Sequence, residues 1–438
     1  MMLLGTQRVN DAGHLEIGGV DVTRLAEEFG TPLYVMDEAT IRRKAREYLA
    51  AFRARYPKVE VSFAGKAFLC TGICKLIEEE GLRLDVASGG ELFTALRAGF
   101  PVERISLHGN NKSDEELRMA LDARVGHIVV DNFLEIDRLT ELTRGLDQPQ
   151  PVLVRVAPGI DPHTHQRIST GQVDTKFGFD IASGAAMTAI SRVREIPGLE
   201  LKGLHCHVGS QLLDTDCHRA SVGIMADLLA QVKQEFGVEF EELNIGGGLG
   251  IRYLESHQPP TVDEFAEVVT GILKEKLDEA GLSYPTLLQE PGRYLVGEAG
   301  TTIYTLGAIK QIPGVRTYVS VDGGLSDNPR PALYEAKYSV LVANKASQPH
   351  DRTYTVSGKH CETDLLFPDV ALPTVEPGDL LAVQSTGAYN YVMASNYNRL
   401  RRPAVVLVND GQADLLVRRE TYEDVVAQDV VPERFRSK

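Results

Sequence analysis

From about residue 59 the chain alternates short runs rich in β-branched residues with amphipathic helical stretches, and the alternation continues past residue 280. A period near two that switches repeatedly to one near 3.6 predicts parallel strands joined by crossover helices. The strand candidates are "VEVSF", "LRLDV", "RISLH", "HIVVD", "PVLVRV", "LKGLHCH", "EELNI" and "TLLQE". Such a series matches the count that closes a parallel (β/α)8 barrel, whereas open doubly wound sheets usually have fewer strands. The expected fold class is therefore α/β, a TIM barrel. Within "SDEELRMALDARVG", Ser113 and Glu116 can form a capping box, and Gly126 is expected to take the left-handed turn that stops the helix. "DEATIRRKAREYLAAFRARYP" predicts one more helix, packed outside the barrel.

After about Gly297 the pattern changes to "TTIYTLGAIKQI", "RTYVSVDGG", "DRTYTVSG", "DLLAVQS" and "RPAVVLV", separated by Gly, Pro and Asn/Asp turns. This predicts a C-terminal antiparallel β domain. The opening stretch "HLEIGGVDVTRLAEEFG" is expected to join it, because chain ends often meet in one domain. The expected division is a barrel over 32–297 and a β domain over 298–438 together with 1–31.

With 438 residues and a formal charge of −15, the chain has room for two cores and little attraction for polyanions. That balance argues against nonspecific nucleic-acid binding and against adhesion to an anionic membrane. No apolar run approaches bilayer length, and the apolar part of "MMLLGTQRVND" is too short for a secretion signal, so a cytoplasmic location is expected. Five cysteines without a CxxC spacing fit a reducing compartment. His205, Cys206 and His207 are consecutive in a strand candidate and point to alternate faces, so they are not expected to hold a metal.

In a parallel barrel, chemistry sits at the C-terminal ends of the strands. There the chain places Lys66, Asp85, His108, Asn110, Arg155, His207, the run Gly246 to Gly248, Glu290 and Arg293. Lys66 fits either a strand-end lysine that snorkels to solvent or an amine that forms Schiff bases. The triple glycine offers bare N–H groups to a phosphate, although its spacing is not the dinucleotide GxGxxG pattern. A reactive lysine, a phosphate cradle, a carboxylate for a ring nitrogen and an imidazole for a ring face are together what pyridoxal 5'-phosphate requires. Asp85 and Arg155 are weaker candidates, since strand-end ion pairs often only hold a barrel together.

The segments "FAGKAF", "DVASGGEL", "HGNNKS", "HCHVGSQ", "GGGLGI", "EPGR", "DGGLSDNPRPALY", "CETDLL" and "GAYNYVMASNYN" follow one another over nearly the whole chain. In kind and order they resemble the motifs of the fold-type III pyridoxal-phosphate decarboxylases, and the last three those of the branch that converts meso-2,6-diaminopimelate to L-lysine and CO2. One departure is "CET", where that branch reads Cys-Glu-Ser.

The resemblance implies a homodimer with shared active sites. It also implies that Lys66 holds the cofactor as a Schiff base, that His207 stacks on its ring and that Glu290 pairs with its nitrogen. Ser210, Gly247, Gly248, Arg293 and Tyr389 would lie near the phosphate. Arg293, Arg330, Tyr334, Glu362 and Tyr389 would hold the far end of the substrate, and Cys361 of the partner copy would return a proton after CO2 leaves. Decarboxylases of ornithine, lysine, arginine or a carboxylated polyamine are the nearest alternatives. A racemase is disfavoured by a carboxylate at the ring nitrogen, and a noncatalytic cofactor carrier has no need of the Cys-Glu pair.

Overall fold

A computed structural model describes residues 2–160 and 175–436. The chain separates into two compact units, one of residues 41–252 and 257–295, the other of 1–40, 253–256 and 296–438.

Among the described residues of the first unit, eight parallel strands close on themselves. They run Val59–Ala64, Arg83–Val86, Ile105–Leu107, His127–Val130, Gln150–Ala157, Leu199–His205, Glu242–Asn244 and Thr286–Gln289. The last pairs with the first, with Leu287 opposite Val59, and that pairing makes the sheet a barrel. A short strand, Phe179–Asp180, adds beside the fifth. Each periodic run of the sequence thus became one barrel strand.

The strands start on a polar layer. Arg83 bonds Glu60 at 2.8 Å and contacts His127 Nδ1 at 3.1 Å, while His127 Nε2 lies 2.9 Å from Glu242. These groups sit at the N-terminal end of the barrel, where polar order serves stability rather than reaction.

Helices cover the outside, and Asp114–Ala123 shows why they stop where they do. Its Ser113–Glu116 capping box is present. Its left-handed residue is Arg124 (φ 54°), not Gly126 as the sequence suggested. Glycine at 126 answers a different need, since a Cβ there would lie 2.2 Å from the Glu103 carbonyl oxygen. The expected helix before the first strand is Glu38–Arg53. Its apolar face enters an aromatic cluster in which Tyr48 stacks on Phe52 at 5.2 Å and Phe52 meets Phe265 edge-on at 5.6 Å.

The second unit is mostly antiparallel, with two parallel pairings that the sequence did not announce. Arg316–Val321 runs parallel to Arg352–Ser357, and Ala404–Asn409 parallel to Leu33–Asp37. The latter pairing draws residues 32–40 into this unit, whereas the sequence pattern placed them with the barrel. The N-terminal stretch joins as expected: Leu15, Ile17, Val20, Val22 and Leu25 pack in one core with Leu33, Ile303, Ala382 and Val406.

Candidate active site

The C-terminal ends of the barrel strands surround a cavity of about 290 Å³ lined by Lys66, Asp85, His108, Arg155, Phe177, His207 and Glu290, among others. Lys66 follows the first strand on a single 3-10 turn, Gly65–Ala67, that lies tight against the second strand. A Cβ at Gly65 would come 2.8 Å from the Asp85 carbonyl oxygen. Lys66 itself is exposed and stands in the cavity wall, within reach of an entering ligand.

Glu290 is the buried carboxylate of the site. His205 Nε2 donates to it at 3.1 Å and Asn244 Nδ2 at 2.6 Å, and His108 Nε2 lies 3.3 Å away. Burial alone would raise its pKa, but His205, His108 and the Lys66 cation outweigh burial and hold the carboxyl well below its usual range. Burial pushes the His108 and His205 imidazoles down to about 4, so both are neutral at pH 7, and of the two only His205 hydrogen-bonds the carboxylate. Asp85 goes the other way: burial, reinforced by the negative charge of Glu290, moves it well above its usual range. Two carboxyls in one cavity are therefore pushed in opposite directions, a separation typical of reacting sites. The donor atoms of His108, His205 and Glu290 lie within 4.8 Å of one another, and the contacts they make to the one carboxylate account for that closeness.

His207 lies two residues beyond its strand, and its Nδ1 accepts from the Gly247 N–H at 3.4 Å. Its pKa is lowered well below the usual imidazole value, first by burial and then by Lys66. Arg293 is buried and donates to the Ser210 hydroxyl from Nε (3.4 Å) and Nη2 (3.2 Å). The glycines between them are under steric compulsion. A Cβ at Gly247 would meet the Glu290 carbonyl oxygen at 2.1 Å, and one at Gly248 (φ 127°) would meet the Gly209 carbonyl oxygen at 2.7 Å. Gly247→Ala is therefore expected to lower unfolding free energy by about 2 kcal/mol and to weaken cofactor retention, measured by urea unfolding and by cofactor absorbance after dialysis.

These residues fit pyridoxal 5'-phosphate. A reachable amine, an ionised buried carboxylate and an arginine beside bare backbone amides stand on adjoining strand ends. Asp85 Oδ1 and Oδ2 and His108 Nε2 are buried with no hydrogen-bond partner, which leaves polar capacity facing the cavity. Arg155 also lines it, 3.8 Å from Asp131 and stacked over Phe177 at 4.3 Å. Asn110 instead accepts from Asn132 Nδ2 at its backbone carbonyl oxygen and belongs to the loop scaffold.

The remaining sequence candidates lie in the β unit and form two groups. Arg330–Tyr334 is a one-turn helix that places Tyr334 beside Arg330, with the guanidinium 5.4 Å from the Tyr334 ring centroid and 5.9 Å from that of Tyr389. Two residues that the sequence reading missed complete this group: the Tyr253 ring at 6.0 Å, and Tyr338, whose hydroxyl accepts from Arg330 Nε at 2.9 Å. For Tyr338 the repeated tyrosines after "NPRP" were the only local hint.

Cys361 and Glu362 are exposed on a loop clamped by the buried pair His360–Asp364 at 2.6 Å. Asp364 also accepts from the Leu325 N–H, and Glu362 accepts from the Tyr397 hydroxyl at 3.0 Å. Of the polar, glycine-containing stretch 161–180, residues 161–174 lie outside the described residues.

Residues 38–297 match the family model for the pyridoxal-dependent decarboxylase, pyridoxal binding domain. The chain is 51% identical over 431 residues to the diaminopimelate decarboxylase of Bacillus subtilis, covering 98% of each. It is 42% identical to that of Staphylococcus aureus, covering 97% of this chain and 99% of the relative. Among solved structures it superposes on the diaminopimelate decarboxylase from M. jannaschii in co-complex with L-lysine, at TM-score 0.92 and 36% identity over 98% of both chains. The Helicobacter pylori enzyme, also with L-lysine, gives TM-score 0.83 at 30% identity, covering 93% of this chain and 98% of that one. A buried Glu290 lining one cavity with Lys66 at the mouth of a closed barrel agrees with these likenesses, and the chain belongs to the pyridoxal-dependent decarboxylases, in the diaminopimelate decarboxylase family.

Proposed function

We propose that the chain releases CO2 from meso-2,6-diaminopimelate to leave L-lysine, the last step of lysine biosynthesis, with Lys66 as the cofactor-bearing residue. The observation that carries this reading is Glu290, a buried carboxylate hydrogen-bonded by His205 and Asn244 in the cavity that Lys66 lines. Bound pyridoxal 5'-phosphate supplies an electrophilic carbon for the substrate amine and a conjugated ring that takes up the electron pair left by CO2.

The chain's own residues divide the remaining work. Glu290 holds a proton on the ring nitrogen and so keeps the ring electron-poor. His207 would cover the ring face, and Ser210, Gly247, Gly248, Arg293 and Tyr389 would hold the phosphate. Arg330 and Arg293 answer the far carboxylate with fork geometry, Glu362 answers the far ammonium, and Tyr334 and Tyr389 wall the site. Cys361 Sγ–H gives its proton to the carbon that lost CO2. Its exposed loop is consistent with service to a second copy of the chain, which makes the working form a homodimer with shared sites. No helix among the described residues is long and apolar enough to cross a membrane. We place the enzyme in the cytoplasm, with neither membrane nor nucleic acid as partner.

Purified protein loaded with cofactor would be offered meso-2,6-diaminopimelate, L-lysine, L-ornithine and L-arginine in separate reactions. CO2 and L-lysine are expected from the first alone. Faster CO2 release from ornithine than from diaminopimelate would overturn the substrate assignment.

A further inference from the structure

The Arg330 guanidinium stands among tyrosine rings that constrain where its plane can lie, but rings alone do not fix rotation about its last bonds. One hydrogen bond does. Tyr338 is buried, and its hydroxyl accepts from Arg330 Nε at 2.9 Å while donating to Asn390 Oδ1 at 3.3 Å. Asn390 is itself fully buried and donates through Nδ2 to Asn328 Oδ1 at 2.7 Å. Tyr338 also meets Tyr253 edge-on at 5.2 Å, so its ring cannot swing. The relay Asn328–Asn390–Tyr338 thus ties the segment before Arg330 to the one after Tyr389 and ends on a single nitrogen of the arginine. With Nε occupied, the guanidinium retains its two terminal NH2 groups for a ligand, in a set orientation.

We propose that Tyr338 is a specificity-determining positioning residue, which aims Arg330 at the carboxylate of the amino acid group that survives decarboxylation. This rests on the reading that Arg330 binds that carboxylate. Tyr338 is not among the residues that line the cavity of Lys66 and Glu290. Its effect falls on recognition of ligands that carry the far carboxylate and spares those that lack it.

The test is Tyr338→Phe in the cofactor-loaded enzyme, which keeps the ring and removes the relay's hydroxyl. KM for meso-2,6-diaminopimelate is expected to rise about tenfold, the size of one charge-assisted hydrogen bond, with kcat changing much less. Competitive inhibition by L-lysine, which keeps the far amino acid group, should weaken by the same factor. Inhibition by 1,5-diaminopentane, the same chain without a carboxylate, should hold. In a double-mutant cycle, Tyr338→Phe should add almost nothing to Arg330→Gln. Asn390→Ala, which leaves the Tyr338 ring in its packing, provides an independent arm with the same pattern at about threefold. Equal weakening of both inhibitors, an unchanged KM, or additivity in the cycle overturns the proposal. If Arg330→Gln alone leaves KM and lysine inhibition unchanged, the carboxylate reading beneath it fails, and the positioning role falls with it.

Discussion

Replacing Lys66 with alanine is expected to reduce turnover by on the order of 10^4-fold or more and to abolish the visible absorbance of covalently bound cofactor. The same protein should fold normally. Lys66 is exposed on its 3-10 turn, so trimming it opens no cavity, and the unfolding free energy should change by no more than about 0.5 kcal/mol. That separation makes the experiment informative, because loss of activity cannot be ascribed to loss of structure. Borohydride treatment followed by peptide mapping supplies the second measurement: the label should appear on the Lys66 peptide of the parent and vanish in the variant. Turnover within tenfold of the parent would refute Lys66 as the attachment point.

The second large effect is expected at Glu290. Glu290→Gln preserves size but removes the negative charge that the surrounding donors hold in place, and kcat should fall about 10^2- to 10^3-fold, as when one preorganised charge-stabilising group is lost. Steady-state assays at saturating cofactor would measure it. Support for the carboxylate is also visible as pH-dependent stability. Burial lowers His205 to about 4, against 6.5 in an unfolded chain. Between those values the unfolded state binds the proton and the folded state does not, so stability contributed by neutral His205 is complete above 6.5 and declines as pH falls toward 4. The stability advantage of the parent over His205→Gln, from urea unfolding of cofactor-free protein, should therefore shrink between pH 7 and pH 4.5. An advantage independent of pH would show that His205 is not held neutral.

The supporting shell shows where sequence reasoning stops. Lys66, His207, Glu290 and Arg293 could be named because a barrel puts function at strand ends and each stands just after an apolar run. His108 was on the same list, but its place beside Glu290 was not, and Asn244 was hidden inside its strand candidate "EELNI". Nothing local joins Asn244 to Glu290, 46 positions away, until the seventh and eighth strands pair in register. Gly246 to Gly248 suggested a phosphate cradle, yet Gly247 is compelled as much by the Glu290 backbone pressing on it.

In the β unit the same divide recurs. Strand-like runs such as "TTIYTLGAIKQI" and "RPAVVLV" declared themselves by composition and by the turns around them. Their partners did not, because parallel and antiparallel neighbours demand the same alternation of side chains. Leu33–Asp37 consequently read as the approach to the barrel, although it lies between Gly300–Ile312 and Ala404–Asn409. Tyr338 and Asn390, 52 positions apart, became partners in one relay by the same long-range folding.

Periodicity along the chain was thus sufficient to determine the eight barrel strands and the end of the barrel that carries chemistry, since each depends on neighbours a few residues apart. Register, chain direction in the β sheet, the ionisation of Glu290 against Asp85 and the orientation of Arg330 were decided only by tertiary structure. Those properties arise from burial and from charges or donors brought within about 4 Å, and such distances exist only after distant segments have packed.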